Sequence, residues 1–159
     1  MKIGVISDTH GRLALAQKAI KTMGQIDMLV HLGDYCRDAI YLSEELQREI
    51  ITVKGNCDFS SNVPLEQIVE VEGLKIYVTH GHREGVKWGY EGIIDRAKNA
   101  GVDVALFGHT HISEIFTNSD ILFVNPGSIG EPRYGNKPSY AIIDIKNGKP
   151  YPYIVMMES

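Results

Sequence analysis

At 159 residues, 43% hydrophobic and 23% charged, the chain has room for one globular domain and is neither disordered nor fibrous in composition. Sixteen Lys and Arg against twenty Asp and Glu give a formal net charge of -4, and with no basic run the chain is a poor candidate for binding duplex nucleic acid. No apolar stretch approaches the ~20 residues of a membrane helix.

In chain order, residues 2–7 form the first β-branched apolar run, which reads as a largely buried strand. The opening segment MKIGVISDTH is too short and too polar for a signal-peptide core. Residues 12–23 follow helical spacing, with Leu13, Ala16, Ile20 and Met23 on one stripe and Gly24 as the stop. Strand-like runs recur at 28–31, 50–53, 75–79 and 102–107, with a short helix expected at 38–47, capped by Asp38, and another at 90–100, ending at Gly101. The last third reads as strands at 114–117, 121–124, 140–145 and 151–156, with Asn147-Gly148 as a hairpin signal. The expectation is one domain over residues 1–159: an α/β half followed by an antiparallel half, two facing sheets sharing one core. Two cysteines, Cys36 and Cys57, cannot form a disulfide framework, so a reducing cytoplasm is the expected location.

The chemistry collects where the apolar runs end. The first five finish in Asp8-Thr9-His10, Gly33-Asp34, Gly55-Asn56-Cys57-Asp58, His80-Gly81-His82 and Gly108-His109-Thr110-His111. Ligands bind in open α/β sheets at the crevice beyond the carboxyl ends of the strands. One Asp after a strand is usually a helix cap and one His usually a satisfied core or surface residue. Four of the six histidines gathered with two Asp and one Asn is a different matter, because imidazole with carboxylate makes a site for a first-row divalent metal. Seven side chains exceed the needs of one ion with an open position, whereas two ions sharing a carboxylate account for them. Residues two apart leaving a strand project to one side, so Asp8 with His10, and His109 with His111, are expected to enter one cavity.

Those five motifs, in that order, resemble the calcineurin-like metallophosphoesterase superfamily, whose pattern is Asp-x-His, Gly-Asp, Gly-Asn-His-(Asp/Glu), a lone His and Gly-His-x-His. The short length, Cys57 in the third motif, Thr79-His80-Gly81-His82 and Asn125-Pro126-Gly127-Ser128 look like the small YfcE-type bacterial and archaeal phosphodiesterases. The resemblance implies a four-layer α/β/β/α sandwich of two facing mixed sheets. It implies that Asp8, His10 and His111 hold one ion, that Asn56, His80 and His109 hold the other, and that Asp34 bridges them. Mn²⁺ is the expected metal, with Ni²⁺, Zn²⁺, Fe²⁺ and Mg²⁺ as alternatives.

Two such ions, about 3.5–4 Å apart, clamp an in-line displacement at phosphorus and supply a bridging hydroxide as nucleophile. The chain departs from its relatives at Cys57, where many have His. A thiol is a weak proton donor, which disfavours monoesters and points to a small phosphodiester as substrate. Asp34, Asn56 and Cys57 are thus the candidate catalytic groups, with His82 as an alternative donor. Cys36 and His31 read as packing or hydrogen-bonded core, Asp58 as a turn cap, Asn125-Pro126-Gly127-Ser128 as a tight turn, Arg133 as a surface residue able to meet a phosphate, and Trp88 and Tyr90 as core, with a flank of the substrate mouth as the alternative. Ile154, Val155 and Met156 suit either the core or a homo-oligomer interface. The competing functions are a non-catalytic protein-binding scaffold like the retromer phosphoesterase-like subunit, and a nuclease or cyclic-nucleotide phosphodiesterase. The complete ligand set argues against the first, and the lack of a basic, aromatic-lined groove argues against long polynucleotides.

Overall fold

Alternation along the first strand sets the layers. In β1 (Lys2–Ile6), Ile3 and Val5 enter one apolar cluster and Ile6 another, so both faces are covered, as in a central strand. The computed structural model describes residues 1–59 and 62–158. After β1 come α1 (Leu13–Met23), β2 (Met28–His31), α2 (Cys36–Leu46), β3 (Ile51–Thr52), β4 (Glu66–Val71), β5 (Leu74–Thr79), α3 (Glu91–Ala100), β6 (Val104–Leu106), β7 (Ser113–Asn118), β8 (Ile121–Pro126), β9 (Ser139–Lys146) and β10 (Lys149–Met156).

The strands form two five-stranded mixed sheets, ordered β10-β9-β1-β2-β3 and β4-β5-β6-β8-β7. Val5, Val30, Val78, Leu106, Val124 and Ile143 fill the space between them. Ala16 and Ala19 of α1 and Leu42 of α2 cover the outer face of the first sheet, and Ile93 and Ala97 of α3 cover the outer face of the second. The result is the expected four-layer α/β/β/α arrangement. A β-carbon at Gly4 would sit 2.6 Å from Met23 Sδ, so glycine lets α1 lie close against β1.

Three expectations need correction. The antiparallel strands do not make a separate half: β1, β2 and β3 run parallel, as do β5, β6 and β8, while β9 returns from the far end of the sequence to pair antiparallel with β1. Antiparallel pairing therefore lies beside a parallel core in each sheet. The edge strand β4 was not anticipated, because Glu66 and Glu70 break its apolar pattern. Finally, α2 begins at Cys36, two residues before Asp38, so Asp38 sits in the first turn and does not cap it. The Asn147-Gly148 hairpin is present, both residues having positive φ (54° and 74°) as a tight two-residue turn requires. Ile154 and Val155 pack against the two clusters flanking the first sheet, while Met156 is exposed.

Candidate metal centre

The parallel strands deliver their carboxyl ends to one edge of the sandwich, but the candidate ligands lie past those ends. β1 stops at Ile6 and β6 at Leu106, so Asp8, His10, His109 and His111 are not on extended chain, and strand alternation is not what aims them. Left-handed turns are. Asp8 (φ 53°), His10 (46°), Asp34 (58°), His109 (72°) and His111 (63°) all occupy the positive-φ region that side chains other than glycine seldom adopt. Such residues cost about 1–3 kcal/mol each and concentrate where function requires them. Two glycines permit the crowding. A β-carbon on Gly55 would lie 2.2 Å from Asp34 Oδ1, and one on Gly108 would lie 2.3 Å from Ser7 Oγ and 2.9 Å from Asp8 Oδ2.

Each carboxylate has one oxygen held by protein donors and the other turned to the cavity. Asp8 Oδ2 accepts from Ser7 Oγ and, at 3.3 Å, from the His109 N–H, while Asp8 Oδ1 is buried with no hydrogen-bond partner. Asp34 Oδ1 accepts from the Cys57 N–H at 2.9 Å, and Asp34 Oδ2 lies 3.6 Å from His10 Nε2 and 3.5 Å from His80 Nε2. The imidazoles follow the same rule. His80 Nδ1 donates to Leu32 O (2.7 Å) and His111 Nδ1 to Glu131 O (2.6 Å), which turns both Nε2 atoms inward, His111 Nε2 lying 3.0 Å from Asp8 Oδ1. His10 Nε2 is buried and unpartnered.

The donor atoms form two groups, each within 4.8 Å: Asp8, His10, Asp34 and His111 in one, Asp34, His80 and His109 in the other. Asp34 belongs to both. Asn56 Oδ1 joins the second from 3.1 Å, at His80 Nε2. Oxygen and imidazole nitrogen without thiolate suit a divalent first-row cation, and the unpartnered buried atoms are the ones a cation would satisfy.

Electrostatics agree with the geometry. Burial pushes the Asp8 carboxyl up, yet the His10 and His111 rings beside it hold it well below the ordinary range. Asp34 is likewise raised by burial and lowered further by His80 and the Cys57 N–H. Burial alone would depress His80, but Asp34 and Asp8 raise it, whereas burial and the charges of His80 and Lys87 take His109 down to about 4.

Several residues that hold this arrangement were not legible in those roles. Asp58 accepts backbone N–H groups from Asp34 (2.9 Å), Gly55 (2.8 Å) and Cys36 (2.8 Å), so it clamps two ligand-bearing turns and caps α2 across 22 residues. Asn125 donates to Thr110 Oγ1 (2.9 Å) and Gly108 O, bracing the 108–111 loop from behind. Ser128 Oγ donates to Asp8 O at 2.8 Å. Asp38, displaced from its expected cap, accepts from Thr9 Oγ1 (2.6 Å) and the Gly11 N–H (2.9 Å).

His31 completes this support. Its Nδ1 accepts from the Gly33 N–H at 3.1 Å, so the neutral ring carries its proton on Nε2 and donates it to Thr9 Oγ1 at 3.0 Å. The ring is fully buried, and burial takes it from 6.5 to about 4. A proton that the unfolded chain binds and the native one refuses destabilises the native state as pH falls from 6.5 toward 4, by up to about 3 kcal/mol. Denaturant titrations at pH 7 and pH 4.5 are therefore expected to show a smaller acid loss in His31→Gln than in wild type; equal losses would contradict the assignment.

The remaining candidates divide. Cys57 is exposed beside Asn56 and Asp34, and burial together with the Asp34 charge raises its thiol to about 11, so at neutral pH it is neither a thiolate nucleophile nor a strong acid. His82 lies at the rim, its ring 5.3 Å from that of His80, with Nδ1 buried and unpartnered. Burial and the neighbouring His80 keep it below the ordinary imidazole value. Tyr90 packs as expected, stacked on Phe116, but Trp88 is 93% exposed and no part of the core. Arg133 is at the surface, two residues from the carbonyl that holds His111.

The calcineurin-like phosphoesterase superfamily domain model matches residues 1–148. The chain belongs to that superfamily. It is 36% identical over 148 residues to the probable metallophosphoesterase YsnB of Bacillus subtilis, covering 92% of this chain and 86% of that one. It is 30% identical over 169 aligned positions to the phosphodiesterase YfcE of Escherichia coli, covering 91% and 88%. A solved structure from Streptococcus pneumoniae, described as a predicted phosphoesterase, superposes with a TM-score of 0.85 at 30% identity, covering 98% of this chain and 88% of that one. Vps29 from Chaetomium thermophilum superposes with a TM-score of 0.81 at 24% identity, covering 99% and 92%, a likeness of fold alone. Among the described residues of this phosphoesterase-family chain, no helix is long and apolar enough to cross a membrane.

Proposed function

We propose that this chain hydrolyses small phosphodiesters with two divalent ions, one held by Asp8, His10 and His111, the other by Asn56, His80 and His109, with Asp34 shared. The observation that carries this reading is Asp34 Oδ2, which stands 3.6 Å and 3.5 Å from one imidazole nitrogen of each group while Asp34 Oδ1 is anchored to the Cys57 N–H. When bound, the ions supply Lewis acidity toward a phosphoryl oxygen and acidify water toward neutral pH.

The protein's own part is placement. Asp58 and the His31–Thr9–Asp38 chain fix the turns that carry Asp8, His10 and Asp34, and Asn125 fixes the loop that carries His109 and His111, so the donors are arranged before substrate arrives. No side-chain nucleophile is required, since the Cys57 thiol stays protonated. A weakly acidic thiol and a neutral His82 leave little capacity to protonate a poor leaving group, which supports diesters with good leaving groups over monoesters. Mn²⁺ remains the expected metal, with Ni²⁺, Zn²⁺, Fe²⁺ and Mg²⁺ as alternatives that the donor set also accommodates. The scaffold reading, to which Vps29 lends its fold, would leave the two unpartnered donor atoms at Asp8 and His10 without a purpose.

The test is a panel of p-nitrophenyl mono- and diesters offered to metal-stripped protein with each ion and with chelator. Diester turnover that appears with added metal and disappears with chelator is expected. Turnover in stripped protein, or silence across the panel, would refute the proposal.

A further inference from the structure

Beside the metal centre runs a groove of about 350 Å³ that the proposed chemistry does not use. Thr110, between His109 and His111, lines it together with Lys87, Trp88, Arg133 and Tyr134. Two observations set it apart. Trp88 and Tyr134 are 93% and 86% exposed, so two large aromatic faces stand in water with nothing of this chain packed over them. The two cations, Lys87 and Arg133, flank the same space. Glu114, the single acid among the lining residues, already accepts from the Tyr90 hydroxyl. The groove meets the centre at Thr110, whose neighbours His109 and His111 belong to the two donor groups, and Arg133 follows the segment whose Glu131 carbonyl holds His111.

Exposed aromatics beside cations, next to a phosphoryl-binding centre, match a planar heterocycle joined to a second anionic group. Bases stack on any such face, and a guanidinium pairs with phosphate oxygens in a fixed fork. The volume lies within the range of small-ligand pockets. We propose that the groove receives the base and an additional phosphate of a nucleotide, so that the substrate is a small nucleotide-bearing phosphodiester. This rests on the phosphodiesterase reading above and specifies one of the two ester groups. The chain's net charge of -4, with only these two cations in the groove, fits a short ligand and not a polynucleotide tract.

The experiment compares kcat/KM, with Mn²⁺ present, for four diesters that share a p-nitrophenolate leaving group. Their second ester group is methyl, phenyl, 5′-thymidyl, or 5′-thymidyl bearing a 3′-phosphate. Base stacking predicts that the thymidyl ester exceeds both the methyl and the phenyl ester by about 5- to 150-fold. The 3′-phosphate adds a further gain that shrinks as salt rises. In Trp88→Ala the thymidyl-to-methyl ratio falls toward one, and in Lys87→Ala or Arg133→Ala the 3′-phosphate gain is lost. Trp88 is the chain's single tryptophan, so titration with thymidine 3′,5′-bisphosphate is also expected to quench its fluorescence saturably. A phenyl ester as good as the thymidyl ester would overturn the proposal, as would a ratio unmoved by Trp88→Ala or a flat titration. Failure of all four esters with every metal would instead refute the phosphodiesterase reading, and the titration, which needs no turnover, would still decide the groove.

Discussion

Asp34→Ala is expected to lower diester kcat/KM by at least about 10³-fold, some 4 kcal/mol of transition-state stabilisation, without unfolding the protein. Asp34 is the one side chain common to both donor groups, so its loss removes a ligand from each at once. The effect on the metal-free fold is expected to be small. Burial and the Asp8 charge act to raise the Asp34 carboxyl, but His80 and the Cys57 N–H hold it below its ordinary value, so the variant loses favourable partners. The Cys57 N–H loses its acceptor at a cost of about 1 kcal/mol. The variant's metal-free melting temperature should therefore fall only slightly below wild type, and added Mn²⁺ should raise the wild type far more than the variant. A folded variant that keeps full activity, or that binds Mn²⁺ as tightly as wild type, would show that Asp34 does not join two ions.

Cys57→His is expected to change the reaction in the opposite direction. A thiol held near 11 gives almost nothing to a departing alkoxide, whereas an imidazole at that exposed position beside Asn56 can donate a proton, a contribution typically of 10²–10⁴-fold. Aryl monoesters and diesters with poor leaving groups should gain about 10²-fold in kcat. p-Nitrophenyl diesters, whose leaving group needs little protonation, should gain little. A uniform gain across leaving groups, or none, would remove Cys57 as the reason for a diester preference.

The candidate donors that the structure brings together could be read from the sequence because an Asp, His or Asn at the end of each apolar run is a local signal, and the runs themselves were legible from burial-driven patterning. The backbone that aims those ligands was not. Left-handed φ at Asp8, His10, Asp34, His109 and His111 is held by tertiary contacts, and alternation along extended chain suggested a different geometry. The supporting bonds were hidden for the same reason. Asp58 reaches Cys36 and Asp34 across more than twenty residues, and Ser128 reaches Asp8 across 120, so each looked like a turn residue in isolation. Asp38 had the right identity for a cap, but α2 starts earlier and its carboxylate serves Thr9 instead. For Trp88 the two readings, core or flank of the substrate mouth, differ only in tertiary placement, and its exposure excludes the core. The placement of β9 beside β1 also depends on pairing across the whole chain, which local periodicity does not encode.

The most direct measurement is the number of divalent ions bound per chain. Stripped protein would be reconstituted with Mn²⁺, freed of excess metal, and analysed for metal and protein together. The account predicts two ions per chain, with turnover restored in step with their binding. Reconstituted protein that is fully active with one ion, or with none, would contradict it.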